Sequence, residues 1–347
     1  MNSNRVLLVG GCGYLGSVLT NELLEQGYAV RIFDRLYYGD EGLRDCRDRV
    51  ELVPGDMRSV DASVLENVVA VVNVGGLSND PTAEYNPKAN HEMNTVASKT
   101  LADLCVSHGV ERYLFASSCS IYDRGVGDET RDVVLSEDAE VSPSAAYSSS
   151  KHAAEKLLLE MANDDFCPVI LRFGTLYGFS PRMRYDLVVN TFVKDALSKG
   201  YLTVHYGGEM WRPLLEVRDA ARALIACLIA PRDRVVGQVF NALFANFRIS
   251  ELAMRVRGAL GEMGIDVNIR PDYGYRGVRS YRVSGAKIHR VLDFQPRISV
   301  EESVKTMVGK IHQYGYDDFS NPRYYNIQWM RLLEEAGRVI AVTDSLF

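Results

Sequence analysis

Tyr147 and Lys151 stand four residues apart in the run YSSSK, on a helical pattern that places both on one face. An ammonium beside a phenol stabilises the phenolate and draws the tyrosine pKa down from about 10 toward working pH. Such a pair is a candidate general acid/base. Taken alone, Y-x-x-x-K describes an ordinary solvated helix face, and its position gives it meaning. It follows by 29 residues Ser118 in the run LFASSCSIYD, where an apolar, strand-like stretch ends abruptly in small polar side chains. Ser117, Ser118, Cys119 and Ser120 are costly to bury without partners, so some of them should serve a site.

A second constellation opens the chain. The run VGGCGYLG ends the first strand pattern and begins a helical one, with Gly10, Gly13 and Gly16 three apart. Gly11, Gly13 and Gly16 also satisfy G-x-G-x-x-G. A turn this tight needs residues without a Cβ, so that the backbone of Gly13, Tyr14 and Leu15 can approach a pyrophosphate at the helix start. The strand-turn-helix context makes this a dinucleotide loop. Asp34 ends the second strand, eighteen residues beyond Gly16. A carboxylate there accepts the adenosine ribose hydroxyls and repels a 2′-phosphate, which favours NAD. Arg35 beside it would attract that phosphate, so NADP stays the alternative. Asp56 and Met57, in GDMR after the third strand, fall where the adenine would lie.

The elements that must position these residues follow from periodicity. Strands are predicted at 5–9, 29–33, 50–53, 70–74, 112–117 and 168–173, alternating with helices at 14–26, 62–68, 87–108 and 145–161. That alternation implies an α/β fold, a Rossmann-type doubly wound parallel sheet with a smaller C-terminal α/β substrate-binding region. Residues 1–174 are expected to form the dinucleotide-binding domain, with 212–245 returning to it. Residues 175–211 and 246–320 would form the substrate-binding region, and 321–347 a C-terminal tail with a helix at 327–336 that holds nothing catalytic. A further helix is predicted at 182–200.

Composition sets bounds. The 347 residues are 47% hydrophobic and 24% charged, as in a soluble globular protein, and the net charge of −6 argues against nucleic acid. No apolar run has the length of a membrane span, no signal peptide is apparent, and the six cysteines show no paired or metal-ligand spacing. No metal is expected, and a reduced cytoplasm fits.

Taken together, VGGCGYLG, YSSSK and the later run VRSYRVSGAKIHRVLDFQPRISVEESV resemble the extended short-chain dehydrogenase/reductases, especially the nucleotide-sugar epimerases and dehydratases. The resemblance covers nearly the whole chain. It implies that the serine four before Tyr122, Ser118, holds the reacting sugar oxygen, that Tyr122 lines the site, and that Lys151 also reaches the nicotinamide ribose. The 4,6-dehydratases carry an Asp–Glu pair at the two positions taken here by Cys119 and Ser120, which argues against dehydration. Cys119 is either a shifted proton donor or a small buried residue. Gly75, Gly76 and Leu77 resemble the small-residue loop beside the cofactor, Ser78 and Asn79 would face the sugar, and Asn94 resembles an asparagine that braces the strands at the cofactor. Arg212 and Arg279 match positions where arginines grip a substrate pyrophosphate, and Arg182 and Arg184 are further candidates, while Asn190 would meet the nucleotide and Thr175 the sugar.

The activity this implies is an NAD-dependent nucleotide-sugar epimerase. A nucleotide-sugar 4-ketoreductase is the alternative, and a non-catalytic dinucleotide sensor a remote one. A homodimer formed through the 87–108 and 145–161 helices is expected by the same resemblance.

Overall fold

The computed structural model describes residues 4–123, 133–274 and 280–345. Strands β1 (Arg5–Val9), β2 (Ala29–Asp34), β3 (Val50–Pro54), β4 (Val68–Asn73) and β5 (Arg112–Ser118) form one sheet with strands Cys167–Phe173 and Gln238–Ala242. Across the sheet the order is Gln238–Ala242, Cys167–Phe173, β5, β4, β1, β2, β3, and every neighbouring pair is parallel. The chain runs outward one way through β2 and β3, then returns to the other side of β1 at β4. That reversal opens a crevice at the carboxyl ends of β1 and β4, where ligands bind in such folds.

The strand sequences explain the layering. Val6 and Leu8 of β1, Val72 of β4 and Leu114 of β5 pack with α1 (Tyr14–Glu25) and helix Val217–Ile229 on one face. Leu7, Val9, Val71 and Phe115 alternate with them and pack against helices Ala97–Ser107 and Ala146–Glu160 on the other. A two-residue period between two cores demands strands apolar on both sides. No helix among the described residues is long and apolar enough to cross a membrane.

A separate core joins helices Val188–Lys199, Ile249–Glu262 and Val300–Tyr314 through Phe192, Val193, Val256, Leu260, Val304 and Met307. Beside it lies a three-stranded sheet of Ala245–Arg248, Trp211–Glu216 and Thr175–Tyr177. Within 212–245, helix Val217–Ile229 packs on α1 and strand Gln238–Ala242 edges the large sheet, whereas Trp211–Glu216 stays with the small one.

Four expected helices differ. Residues 62–68 give one 3₁₀ turn, Ala62–Leu65, before β4 begins at Val68. The 87–108 helix is interrupted by a π-helical stretch, Glu92–Val96, because Asn94 and Thr95 bond sideways to Ser150 instead of staying in register. The helix expected at 182–200 starts only at Val188, since Arg184 and Asp186 form a largely buried ion pair in a bent, non-helical segment before it. The C-terminal helix, Asn326–Thr343, is longer than expected.

Strand Cys167–Phe173 is tied to helix Ala146–Glu160 by a buried ion pair. Arg172 Nη2 lies 2.7 Å from Glu155 Oε2, and Arg172 Nε is 3.1 Å from both carboxylate oxygens. Removing one partner leaves the other charged and dry, so Arg172→Met should cost about 3–5 kcal/mol in urea unfolding. The double variant Arg172→Met/Glu155→Leu should recover most of that loss. An additive double variant would contradict the coupling.

Candidate active site

The glycine turn is dictated by close approach. Gly10 has φ +83°, and a Cβ there would fall 2.7 Å from the Gly75 Cα; one on Gly16 would fall 2.1 Å from the Gly10 carbonyl oxygen. Gly13 caps α1 without a side chain, so the first-turn N–H groups have no acceptor from that residue. Gly10, Gly13, Tyr14, Leu15 and Gly16 form the floor of a cavity of about 350 Å³ in the crevice between β1 and β4.

One end of this cavity is polar in a specific way. The Asp34 carboxylate lines it, held by the N–H of Cys12 at 2.9 Å and of Leu36 at 2.7 Å, and burial pushes its pKa up. Arg35 lines it too, but its guanidinium is engaged by Asp56 at 2.9 Å and lies over the Tyr37 ring. Arg58 also bonds Asp56, and this bond holds the carboxyl below its usual range. An arginine already paired is poorly placed to prefer a 2′-phosphate. Met57, Gly75, Gly76 and Leu77 complete this end.

At the other end, Ser117, Ser118 and Ser120 line the cavity together with Tyr147, Lys151 and Thr175. Ser118 Oγ accepts the Ser120 N–H at 3.1 Å, and Ser120 Oγ is buried without a partner among the described residues. Ser117 is spoken for, because its hydroxyl donates to Glu155. Lys151 is buried with Nζ 4.6 Å from the Phe115 ring centroid; burial lowers its pKa to about 8, against the opposing pull of Glu155.

The far wall carries Ser78, Asn79, Arg182, Arg184 and Arg212. Arg184 pairs with Asp186 at 2.8 Å, and Arg212 donates to the Trp211 carbonyl at 2.8 Å with its guanidinium over Tyr281. Arg182 stacks 3.6 Å above the Tyr38 ring centroid. The Nε of Arg182 and one Nη of Arg184 are buried without partners among the described residues.

Two expectations are corrected, for Tyr122 and Asn190, while Cys119 and Asn94 stand behind the lining. Cys119 turns away from the cavity into the core, where its thiol donates to the Arg172 carbonyl, and burial raises its pKa. Tyr122 does not line the site either, since its hydroxyl donates to Asn241 at 2.8 Å and accepts from Arg172 at 2.7 Å. Asn190 is fully buried behind the wall, bonding Gly178 N–H, the Arg184 carbonyl and the Tyr14 hydroxyl. Asn94 braces the wall from behind, the role the resemblance implied: its amide reaches the Leu77 carbonyl and Ser150, and its oxygen abuts Gly76, where a Cβ would clash. Arg279 lies outside the described residues.

Asn326 and Met330, from the tail expected to be inert, line the cavity. An asparagine at a helix start reads as a cap, which hides any other role. Only the 248-residue separation from its partner Ser78, closed by folding, reveals its place.

The lysine makes a stability test. Lys151 holds its proton to about pH 10.5 when unfolded but only to about pH 8 when folded. Below pH 8 both states are protonated and the whole burial penalty, about 3 kcal/mol, weighs on the fold; between pH 8 and 10.5 it fades. Lys151→Met should therefore resist urea better than the parent at pH 7, with the gap closing by pH 10. A gap that grows with pH would contradict this assignment.

The glycine cradle and the Asp34 carboxylate fit a dinucleotide, as the resemblance implied. Comparison with known proteins agrees. MoeE5, solved in complex with UDP-glucuronic acid and NAD, matches at a TM-score of 0.74 and 27% identity, over 89% of this chain and 99% of that one. A probable UDP-arabinose 4-epimerase 3 of Arabidopsis thaliana is 29% identical over 353 residues, covering 90% of this chain and 82% of the relative. A UDP-N-acetyl-alpha-D-glucosaminuronate decarboxylase of Bacillus cytotoxicus is 23% identical over 317 residues, covering 88% and 96%. The sequence model of one family matches residues 6–242, well over half the chain. The protein belongs to the NAD dependent epimerase/dehydratase family, and its cofactor is NAD.

Proposed function

We propose that this protein is a nucleotide-sugar epimerase. One observation carries the choice within the family: the loop after β5 offers the cavity only hydroxyls beside Tyr147 and Lys151. Where 4,6-dehydratases carry an acid pair, Cys119 is turned into the core and Ser120 has no acidic proton to give.

In this reading Gly10, Gly13, Gly16 and Asp34 hold NAD, with Lys151 on the nicotinamide ribose. Bound NAD supplies the acceptor and donor of hydride at the sugar carbon. Tyr147 takes the proton from the sugar hydroxyl and returns it, while Ser118 holds the same oxygen. The buried Lys151 ammonium stabilises the phenolate that Tyr147 presents before it takes the proton and regenerates when it returns it. Arg182 and Arg212 grip the diphosphate, so the sugar can turn its other face while the nucleotide stays fixed. The hydroxyl wall of Ser118, Ser120 and Thr175 allows that turn without expelling water from the sugar.

Purified protein incubated with a panel of nucleotide sugars should interconvert one pair of stereoisomers, read by NMR, without net change at 340 nm. Tyr147→Phe should lower kcat by roughly 10²–10⁴-fold with little change in substrate Kd. Stoichiometric NAD(P)H consumption on 4-keto sugars would replace the epimerase reading with a ketoreductase, and full turnover by Tyr147→Phe would sink both.

A further inference from the structure

Arg182 is an unusual arginine. It is only 7% exposed, lines the cavity, and makes no ion pair among the described residues. Burial lowers its pKa to about 10, still far above neutrality. Its direct contacts are neutral, the Tyr38 ring on one face and the Asn326 side-chain oxygen, which accepts from Nη2 at 2.7 Å, while the carboxylates of Asp34 and Asp186 act on it from beyond ion-pair distance. Its Nε is buried and unpartnered. A buried cation fixed in place with no carboxylate in direct contact among the described residues is suited to an anion from outside the chain.

Asn326 is built to do the fixing. It is the first residue of the C-terminal helix and 3% exposed. Its amide nitrogen donates to Ser78 Oγ at 3.0 Å, and its backbone N–H to Asp186 at 3.2 Å. The helix is anchored further on by Trp329, whose indole donates to the Tyr37 carbonyl, and by Glu334, which accepts from Tyr85. It therefore spans the cavity from the loop after β2 to the segment after β4, with Met330 facing inward. An aspartate at 326 could make the same contact with Arg182 and would cancel its charge. An asparagine orients it and leaves the charge intact.

We propose that the C-terminal helix is a wall of the ligand site, and that Asn326 is a positioning residue holding the Arg182 guanidinium toward a diphosphate ligand without neutralising it. This rests on the reading above in taking the ligand to be a diphosphate. The diphosphate belongs either to the sugar nucleotide or to the dinucleotide, and the two are separable by titration.

The test uses the full-length protein and calorimetric titration with UDP, GDP, CDP and dTDP, each against its own nucleoside, and with NAD against adenosine. Asn326→Asp should weaken the responsive diphosphate about tenfold while the uncharged partner binds as before. Asn326→Ala, which adds no charge, should weaken the same ligand less, and it serves if the aspartate variant does not fold. The pair that responds names the source of the diphosphate. Unchanged diphosphate affinity in both variants would overturn the proposal, as would an equal loss for diphosphate and nucleoside, which means shape alone. Parent protein that binds no diphosphate overturns this proposal and the epimerase reading together. The selective loss without any sugar interconversion by the parent overturns only the epimerase reading.

Discussion

The buried pair of Glu155 and Arg172 is the contact on which the reaction end depends. Tyr147, Lys151 and Glu155 follow one another at four-residue steps on helix Ala146–Glu160, so they share a face. Fixing Glu155 to strand Cys167–Phe173 fixes the rotation of that helix, and with it where the phenol and the ammonium point. The same carboxylate accepts from Ser117, and Arg172 donates to Tyr122. The polar residues after β5 are thereby sorted. Ser117, Cys119 and Tyr122 are consumed by the network, and Ser118 and Ser120 are left for the cavity. Burying two charges costs several kcal/mol each, so this pair is weak evidence for stability and stronger evidence for orientation.

That sorting also explains Lys151. Desolvation alone would strip its proton readily, but Glu155 one turn away pulls the other way. The result is an ammonium that survives burial near neutral pH, beside a hydroxyl-rich wall and over the Phe115 ring. A group poised this way can support a phenolate transiently, which a solvated lysine with an ordinary pKa does less well.

Much of this was legible in the sequence, for reasons of range. The glycine turn, β1, α1, β2 and the Tyr147–Lys151 pair are set within a few residues, where period and spacing carry the information. Most failures at the site are long-range. Asn190 pairs with Tyr14, 176 residues away, and Asn326 with Ser78. Neither local pattern distinguishes a buried asparagine that bonds to backbone from one that meets a ligand. Cys119 and Ser120 differ by one step in a 3₁₀ turn, Cys119–Tyr122, whose direction depends on Arg172, 52 residues beyond Ser120. The π stretch at Glu92–Val96 likewise follows from Asn94 and Thr95 meeting Ser150 across the helix pair.

The polar atoms left unmatched point the same way as the geometry. A buried donor or acceptor without a partner costs about 1–3 kcal/mol, and folded chains carry few of them. Among the described residues, Asn94 Oδ1 and others lie away from the cavity lining, while Ser120 Oγ, Arg182 Nε and an Arg184 Nη belong to residues of one cavity, at its reaction end and its arginine wall. Each is a deficit in the free chain that a hydroxyl- and phosphate-bearing ligand would remove. An acidic protein of net charge −6 that keeps three arginines on one wall is spending stability on recognition. Within the cavity these unmatched atoms fall where the proposed sugar nucleotide would bring its hydroxyls and its diphosphate, so the cost they carry in the free chain is one that binding would relieve.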